Sequence, residues 1–312
     1  MSWERVEEIA ERTAATLRSH GYDVARIGYP DDHSRRSIDL IAVRGRHGIF
    51  LKVAVDASDV SQSDMRELQS CSRVLRGPGL VVAERDAGEE IDDIVAHERM
   101  GVYVLSPGGL EAALRDSIYV VKRQQSYYMR VDGERLRELR TSKGMSLGDV
   151  ASRLSVSRRS VYQYEQEESM VSLPVALKLM ELFGEEVFKP INVLDVPRGE
   201  ASRSGRTKLG KMLSDAGLRV AETRHIPPNL VASSEKARIV VIIERRRDDD
   251  VERRLEESER VAERVEARVI VVGGRQARSL AEMYDALYAA SLQEAVRIAR
   301  RIALEGEEAP EF

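Results

Sequence analysis

In the run LSVSRRSVYQYE, Leu154 to Glu165, two arginines and a glutamine are spaced to read the edges of bases. Arginine presents a planar fork that donates a bidentate pair to guanine, and glutamine can pair in the same way with adenine. On a helix from Arg158 to Gln166 opened by Ser157, Val161 and Tyr164 fall on the inner face. Arg158, Arg159, Tyr162 and Gln163 then fall on the outer one. Each good base contact contributes about 1–3 kcal/mol of discrimination. The plainer alternative for the same residues is a solvated arginine face on an ordinary small bundle.

The elements that must hold this helix are legible upstream. Glu134 to Lys143 reads as a helix with Leu136 and Leu139 on one side, ended by Gly144. Ser146 can cap the next helix, with Asp149 three residues on as an acidic capping box. That helix, 147–154, buries Leu147, Val150, Ala151 and Leu154, and Ser155-Val156 makes the turn into the third. Two short helices joined by a tight turn, the second opening with polar residues, follow helix-turn-helix logic. Arg130, Arg135, Arg137, Arg140, Lys143, Arg153, Arg158 and Arg159 outnumber Asp132, Glu134, Glu138, Asp149 and Glu165 in this block. It is locally basic within a chain whose net charge is −4.

The run LRELRTSKGMSLGDVASRLSVSRRSVYQYE resembles the helix-turn-helix domain of the Cro and lambda-repressor type. The residues that carry the likeness are Leu136, Gly144, Ser146, Ala151, Val156, Ser157, Val161, Tyr164 and Glu165. The resemblance implies that Arg158, Arg159 and Gln163 face base edges. The wider DNA-binding set is then Ser146, Arg153, Ser157, Ser160 and Tyr162, with Arg140 and Glu165 as a structural ion pair. Two positions depart from the pattern. Leu147 stands where a glutamine usually holds a phosphate. Ser155 stands where glycine is common in the turn, at a cost of about 1 kcal/mol if its backbone is left-handed.

At 312 residues the chain is long enough for two or three domains. Its 42% hydrophobic and 33% charged residues fit a soluble globular protein. No apolar run reaches a membrane span, and the acid-rich N-terminus argues against a signal peptide. The one cysteine, Cys71, excludes an internal disulfide and a cysteine-cluster zinc site. The five histidines have no metal-ligand spacing. A cytoplasmic location is expected, with no metal, cofactor or membrane partner.

Helix, three strands, helix and strand succeed one another from Ser2 to Ala83, an α/β order. At an offset of 190 residues the strand cores recur. Asp39-Leu40-Ile41-Ala42 overlies Asn229-Leu230-Val231-Ala232, Ile49-Phe50-Leu51 overlies Ile239-Val240-Val241, and Leu80-Val81-Val82 overlies Ile270-Val271-Val272. Gly21 and Gly217 align only if the first strand-to-strand loop is longer in the first copy. This suggests an internal duplication; the alternative is that two α/β units of similar element lengths overlay by chance. The segments YVVKRQQSYYMR and DVPRGEASRSGRTK read as polar linkers, Ser106-Pro107-Gly108-Gly109 as a loop, and Ser279 to Leu304 as one long helix.

Glu7, Glu8 and Glu11 on the first helix, Asp39 on a strand and Lys52 on the next resemble the order in restriction-endonuclease-like nucleases. Such enzymes hold a divalent metal between two acids, with a Lys two residues after the second. Here Phe50 occupies the second acid's place, and Asn229 and Ile242 replace Asp39 and Lys52 in the second copy. Asp39 and Lys52 are thus expected to be degenerate nuclease positions, with no catalytic residue and no metal ligand.

The whole chain is similar to an archaeal family of helix-turn-helix transcriptional regulators, in which this domain sits between two α/β regions. SIDLIAVRGRHGIFLKVAVDAS and GPGLVVAERD add to that likeness. The expected fold is α/β plus all-α: two related nuclease-like α/β domains (1–122 and 209–304) flank a Cro-type bundle (128–196). A linker (197–208) and an acidic tail (305–312) complete the chain. The expected function is sequence-specific binding of double-stranded DNA as a homodimer. A metal-dependent nuclease using Asp39 and Lys52, and an interaction protein that has lost DNA binding, are the alternatives.

Overall fold

The computed structural model describes residues 3–45, 47–195, 205–244 and 250–305. Most of the expected linker, and the expected acidic tail apart from the backbone of Glu305, lie outside the described residues. The chain divides into two compact units, residues 1–82 with 194–312, and residues 83–193. No described helix is long and apolar enough to cross a membrane.

The first unit opens with α1 (Trp3–Ser19), whose buried stripe of Val6, Ile9, Ala10, Thr13, Ala14 and Leu17 has helical spacing. Gly21, at φ +80°, turns the chain into β1 (Asp23–Arg26). β2 (Leu40–Arg44) and β3 (His47–Asp56) follow, with β1 antiparallel to β2 and β2 to β3. Ser61 caps α2 (Gln62–Leu75), and β4 (Gly79–Asp86) carries the chain into the second unit. The central strands are apolar almost without alternation because both of their faces are covered.

The remainder of the first unit begins with α8 (Lys208–Asp215) and β11 (Arg219–Glu222), joined through Gly217 at φ +87°. β12 (Leu230–Ser233) and β13 (Arg238–Ile243) come next, then α9 (Val251–Arg264) and β14 (Ala267–Val272). α10 (Arg275–Met283), β15 (Leu287–Ala289) and α11 (Leu292–Glu305) complete it. The five strands lie in the order β11-β12-β13-β14-β15.

The single helix expected from Ser279 to Leu304 is therefore incorrect. Ala286 N–H closes on Ala281 O at 2.9 Å, and Asp285 takes a left-handed φ of +55°. The chain then extends, and Leu287 pairs with Ile270 in a parallel ladder with β14. The apolar positions that satisfied a helical period are split among α10, β15 and α11.

The registers of the two sheets coincide at the offset of 190. Leu40 opposes Leu51 as Leu230 opposes Val241, and Ile41 opposes Phe50 as Val231 opposes Val240. Asp39 Oδ2 accepts from Val53 N–H at 2.7 Å, and Asn229 Oδ1 accepts from Ile243 N–H at 2.7 Å.

The two α/β modules are pinned to each other reciprocally. Glu67 on α2 accepts from Arg224 N–H and His225 N–H, each at 3.0 Å, in the loop between β11 and β12. Glu257 on α9, 190 residues on, accepts from Gly28 N–H at 2.8 Å and Tyr29 N–H at 3.0 Å in the loop between β1 and β2. Both carboxylates are buried, where an unsatisfied one would be costly. Between them Ile41 and Phe50 line one side of an apolar cavity and Val231 and Val240 the other.

In the second unit β5 (Glu89–Glu90) pairs with the end of β4, and β6 (Val95–Arg99) lies between β7 (Val102–Leu105) and β8 (Val120–Arg123). Ser106-Pro107-Gly108-Gly109 is not a loop. Ser106 caps α3 (Pro107–Leu114), accepting from Gly109 N–H at 2.8 Å, with proline in the first turn. The expected linker around Gln124 is also structured: β8 and β9 (Ser126–Met129) form a hairpin, and β9 pairs with β10 (Val171–Ser172). The helices α4 (Gly133–Ser142), α5 (Leu147–Leu154), α6 (Arg158–Glu165) and α7 (Leu173–Phe183) pack around Leu136, Val150, Leu154, Val161 and Leu179.

Candidate nucleic-acid interface

α5 begins as its capping box requires. Ser146 Oγ accepts from Asp149 N–H at 3.2 Å, and the Asp149 carboxylate accepts from Ser146 N–H at 2.7 Å. The Ser146 hydrogen bonds hold the Asp149 carboxyl below its ordinary value, helped by Arg153 and Arg158. Leu147, the departure from the glutamine pattern, is half-buried and packs on the helical core. The first side chain of α5 therefore serves packing rather than phosphate.

The turn residue Ser155 has φ +59°, the left-handed geometry for which glycine is common. Lys178 of α7 compensates in part, donating to Ser155 Oγ at 3.1 Å and to Leu154 O at 3.3 Å. Ser157 caps α6 by accepting from Ser160 N–H at 3.0 Å, and the two hydroxyls stand 2.9 Å apart. Buried Val161 and Tyr164 fix the inner face of α6.

The outer face brings the expected readers together. Arg158, Arg159 and Tyr162 are exposed, Gln163 is half-buried, and Arg153 and Ser146 lie exposed on and before α5. No ion pair engages Arg153, Arg158 or Arg159 within this unit of described residues. Arg158 lies over the start of α5, where a Cβ at Gly148 would stand 2.9 Å from its Nε. Gly148 thereby leaves room for the guanidinium.

The expected ion pair is formed and is larger than its two members. Arg140 Nε stands 2.5 Å from Glu165 Oε1, and Arg140 Nη1 donates to Met145 O at 2.9 Å. Arg137 adds a contact to Glu165 Oε2 at 3.4 Å. Glu165 is buried, so the pair ties α4 to the end of α6 from inside. Gly133 lets the two backbones meet, since a Cβ there would lie 2.3 Å from Glu165 O. Sequence reasoning missed Arg137, Gly148 and Lys178, whose contacts lie 10 to 28 residues away along the chain and leave no local spacing signal.

The residues expected to be degenerate nuclease positions, Asp39 and Lys52, sit in the first unit. Lys52 Nζ stands 3.1 Å from Asp39 Oδ2 and donates to His33 O at 2.7 Å. Both side chains are buried, and His33 is pushed below its ordinary value by burial and by Lys52. Glu7 and Glu11 do not join them. They pair with Arg26 at 2.6 and 2.9 Å, and Glu8 pairs with Arg5 at 2.5 Å. Phe50, in the place of the second acid, is buried toward the apolar cavity between the modules. A divalent metal normally takes several oxygen ligands, and one carboxylate already engaged by Lys52 and a backbone N–H does not fit that need.

Residues 6–120 match the model of the PD-(D/E)XK superfamily domain, and residues 136–188 match a helix-turn-helix model. The chain is 32% identical over 234 residues to a protein of Aeropyrum pernix, covering 72% of this chain and 71% of that one. It is 31% identical over 237 residues to one of Pyrococcus furiosus (73% and 74%) and 29% identical over 262 residues to one of Sulfolobus acidocaldarius (79% and 83%). Each of these relatives bears the name "Putative HTH-type transcriptional regulatory protein". No solved structure matches. With a helix-turn-helix match and a PD-(D/E)XK match in one chain, and with this likeness over most of its length, the chain belongs to the archaeal family of HTH-type transcriptional regulatory proteins.

Proposed function

We propose that the chain reads a specific double-stranded DNA sequence with α6 in the major groove, as a homodimer that regulates transcription and does not cut DNA. The observation that carries this reading is the outer face of α6. Among the described residues no carboxylate forms an ion pair with its arginines, while the inner face is locked by Val161, Tyr164 and Glu165. Arg158, Arg159 and Gln163 are assigned to base edges, Tyr162, Ser160 and Ser157 to the groove wall, and Arg153 and Ser146 to phosphates. One such helix makes few contacts, so two half-sites about one helical turn apart supply the affinity. The setting is the cytoplasm, with no cofactor or metal.

The proposed domains are 1–122, 128–196 and 209–304, the last a duplicate of the first. The shared register and the equivalent roles of Asp39 and Asn229 and of Glu67 and Glu257 support duplication. Nuclease chemistry is disfavoured by Phe50 and by the Asp39–Lys52 pair.

Selection of bound duplexes from a random pool, with magnesium present, tests the reading. An intact, two-fold-related site is expected. Arg158→Ala or Arg159→Ala relaxes sequence choice, whereas Arg153→Ala weakens binding to all sequences alike. An unchanged site in Arg158→Ala would show that α6 is not the reader. Cleavage that disappears in Asp39→Ala would make the protein an enzyme.

A further inference from the structure

The reciprocal pairing of the two α/β modules breaks at one place. Asp23 opens β1 and Arg219 opens β11, opposite Val43 and Ser233 respectively, which are themselves 190 residues apart. Beside Asp23 the end of α9 supplies Arg264, whose Nε stands 2.7 Å from Asp23 Oδ2. Beside Arg219 the end of α2 supplies Arg76. Where the first position pairs opposite charges, the second sets two guanidinium groups together.

Both groups turn to one carbonyl oxygen. Arg76 Nη2 donates to Ser234 O at 3.0 Å and Arg219 Nη2 donates to it at 3.4 Å, while Arg76 Nη1 reaches Glu235 O at 3.3 Å. Among the described residues no carboxylate forms an ion pair with either arginine, and Arg76 Nε is buried without a hydrogen-bond partner. Burial and the nearby charge of Arg76 hold Arg219 below its ordinary value. The two arginines, Lys236 and Ser234 line a cavity of about 490 Å³ whose remaining wall includes Leu304 and the exposed Glu235. That volume suits a metabolite-sized ligand. Among the described residues one acid stands against three cations there, and a guanidinium pair matches the planar, bidentate recognition of an oxyanion.

We propose that this cavity binds a small phosphate-bearing molecule, its phosphate between Arg76 and Arg219 and its less polar part toward Leu304. The site belongs to the α/β modules and stands whether or not α6 reads DNA.

Calorimetric titration of the full chain with pyrophosphate and with inorganic phosphate, at constant ionic strength, tests it. Wild type should bind pyrophosphate at one saturable site. Arg219→Asp should pair with Arg76 as Asp23 pairs with Arg264, raising the melting temperature while weakening pyrophosphate about tenfold or more. Arg76→Gln should weaken it likewise without the thermal gain, and serves if the first variant does not fold. Arg158→Ala should bind as wild type does, which separates this site from DNA reading. Equal affinity in wild type and both variants, or no binding by wild type, overturns the proposal. So does displacement of pyrophosphate by duplex DNA, which would assign the cavity to a backbone phosphate. Binding seen only after residues 306–312 are removed would overturn it too, handing the cavity to the acidic end of the chain.

Discussion

The junction between the α/β modules can be tested through an asymmetry in its two glutamates. Glu67 uses both oxygens: Oε1 accepts from Ser37 Oγ at 2.8 Å and His225 N–H at 3.0 Å, and Oε2 accepts from Arg224 N–H at 3.0 Å. In Glu67→Gln the amide oxygen can keep only one of these two places. Its NH2 then opposes a buried donor, and one unmade hydrogen bond costs about 1–3 kcal/mol. Glu257 receives both of its backbone donors on Oε2, so Glu257→Gln can keep both by turning its oxygen to that side. The charge assistance and the partly exposed ion pair of Oε1 with Arg253 Nε at 3.6 Å are lost there, together about 1 kcal/mol or less. Denaturant unfolding followed by tryptophan emission is a suitable assay. Trp3 is the one tryptophan in the chain, belongs to this unit, and packs edge-on against His33 with ring centroids 4.7 Å apart. Glu67→Gln should lower stability by about 2 kcal/mol and Glu257→Gln by about half that or less. Equal effects, or a loss under about 0.5 kcal/mol for Glu67→Gln, would refute the idea that these carboxylates pin the modules.

Three further outcomes are expected. Ser155→Gly relieves a left-handed serine worth about 1 kcal/mol but forfeits the Lys178 hydrogen bond, so the helical unit should gain about 0.5 kcal/mol by thermal melting; a loss would show that Lys178 dominates the turn. Phe50→Glu restores the acid that a nuclease would need, yet places it against Val231 and Val240. It should destabilise the unit by about 3–5 kcal/mol and yield no cleavage with magnesium or manganese, and cleaved duplex would show that the site is open. Glu259 is raised to about 7 by burial, with Asp285 and Glu263 opposing its charge and Arg268 favouring it. A folded value above the unfolded one gives stability that is complete below the unfolded value of 4.5 and is lost as pH rises through about 7. About 1–2 kcal/mol should disappear over that window, allowing for screening of a half-exposed group, and Glu259→Gln should flatten the slope; an unchanged slope would show that another group titrates.

What could be read in the sequence was what neighbouring residues decide together. Ser146, Asp149 and Ser157 mark helix starts because a cap and its target N–H lie three residues apart, and Val150, Leu154 and Val161 mark one buried face. The strand cores around Ile41, Leu51 and Val81 were equally plain, since strands covered on both sides must be apolar throughout. The hairpin Val120–Met129 reads as a linker in sequence because of its run of polar residues, and its partners, β6 and β10, lie about 25 residues before it and 40 after. The segment from Ser279 reads as one helix because Leu287 and Leu292 suit a helical period, while the parallel ladder to Ile270 that recruits Leu287 is invisible locally. The junction is the most instructive case. The offset of 190 that aligns the strand cores also places Glu67 on Glu257, so their equivalence was present in the residue string. Each lies on a helix rich in charge, where a glutamate ordinarily meets solvent. That each instead reaches the opposite module depends on how two sheets meet, and local periodicity says nothing about it. The same limit explains Arg76 and Arg219, 143 positions apart. Two arginines become a candidate anion site only once the junction sets their guanidinium groups on one carbonyl oxygen.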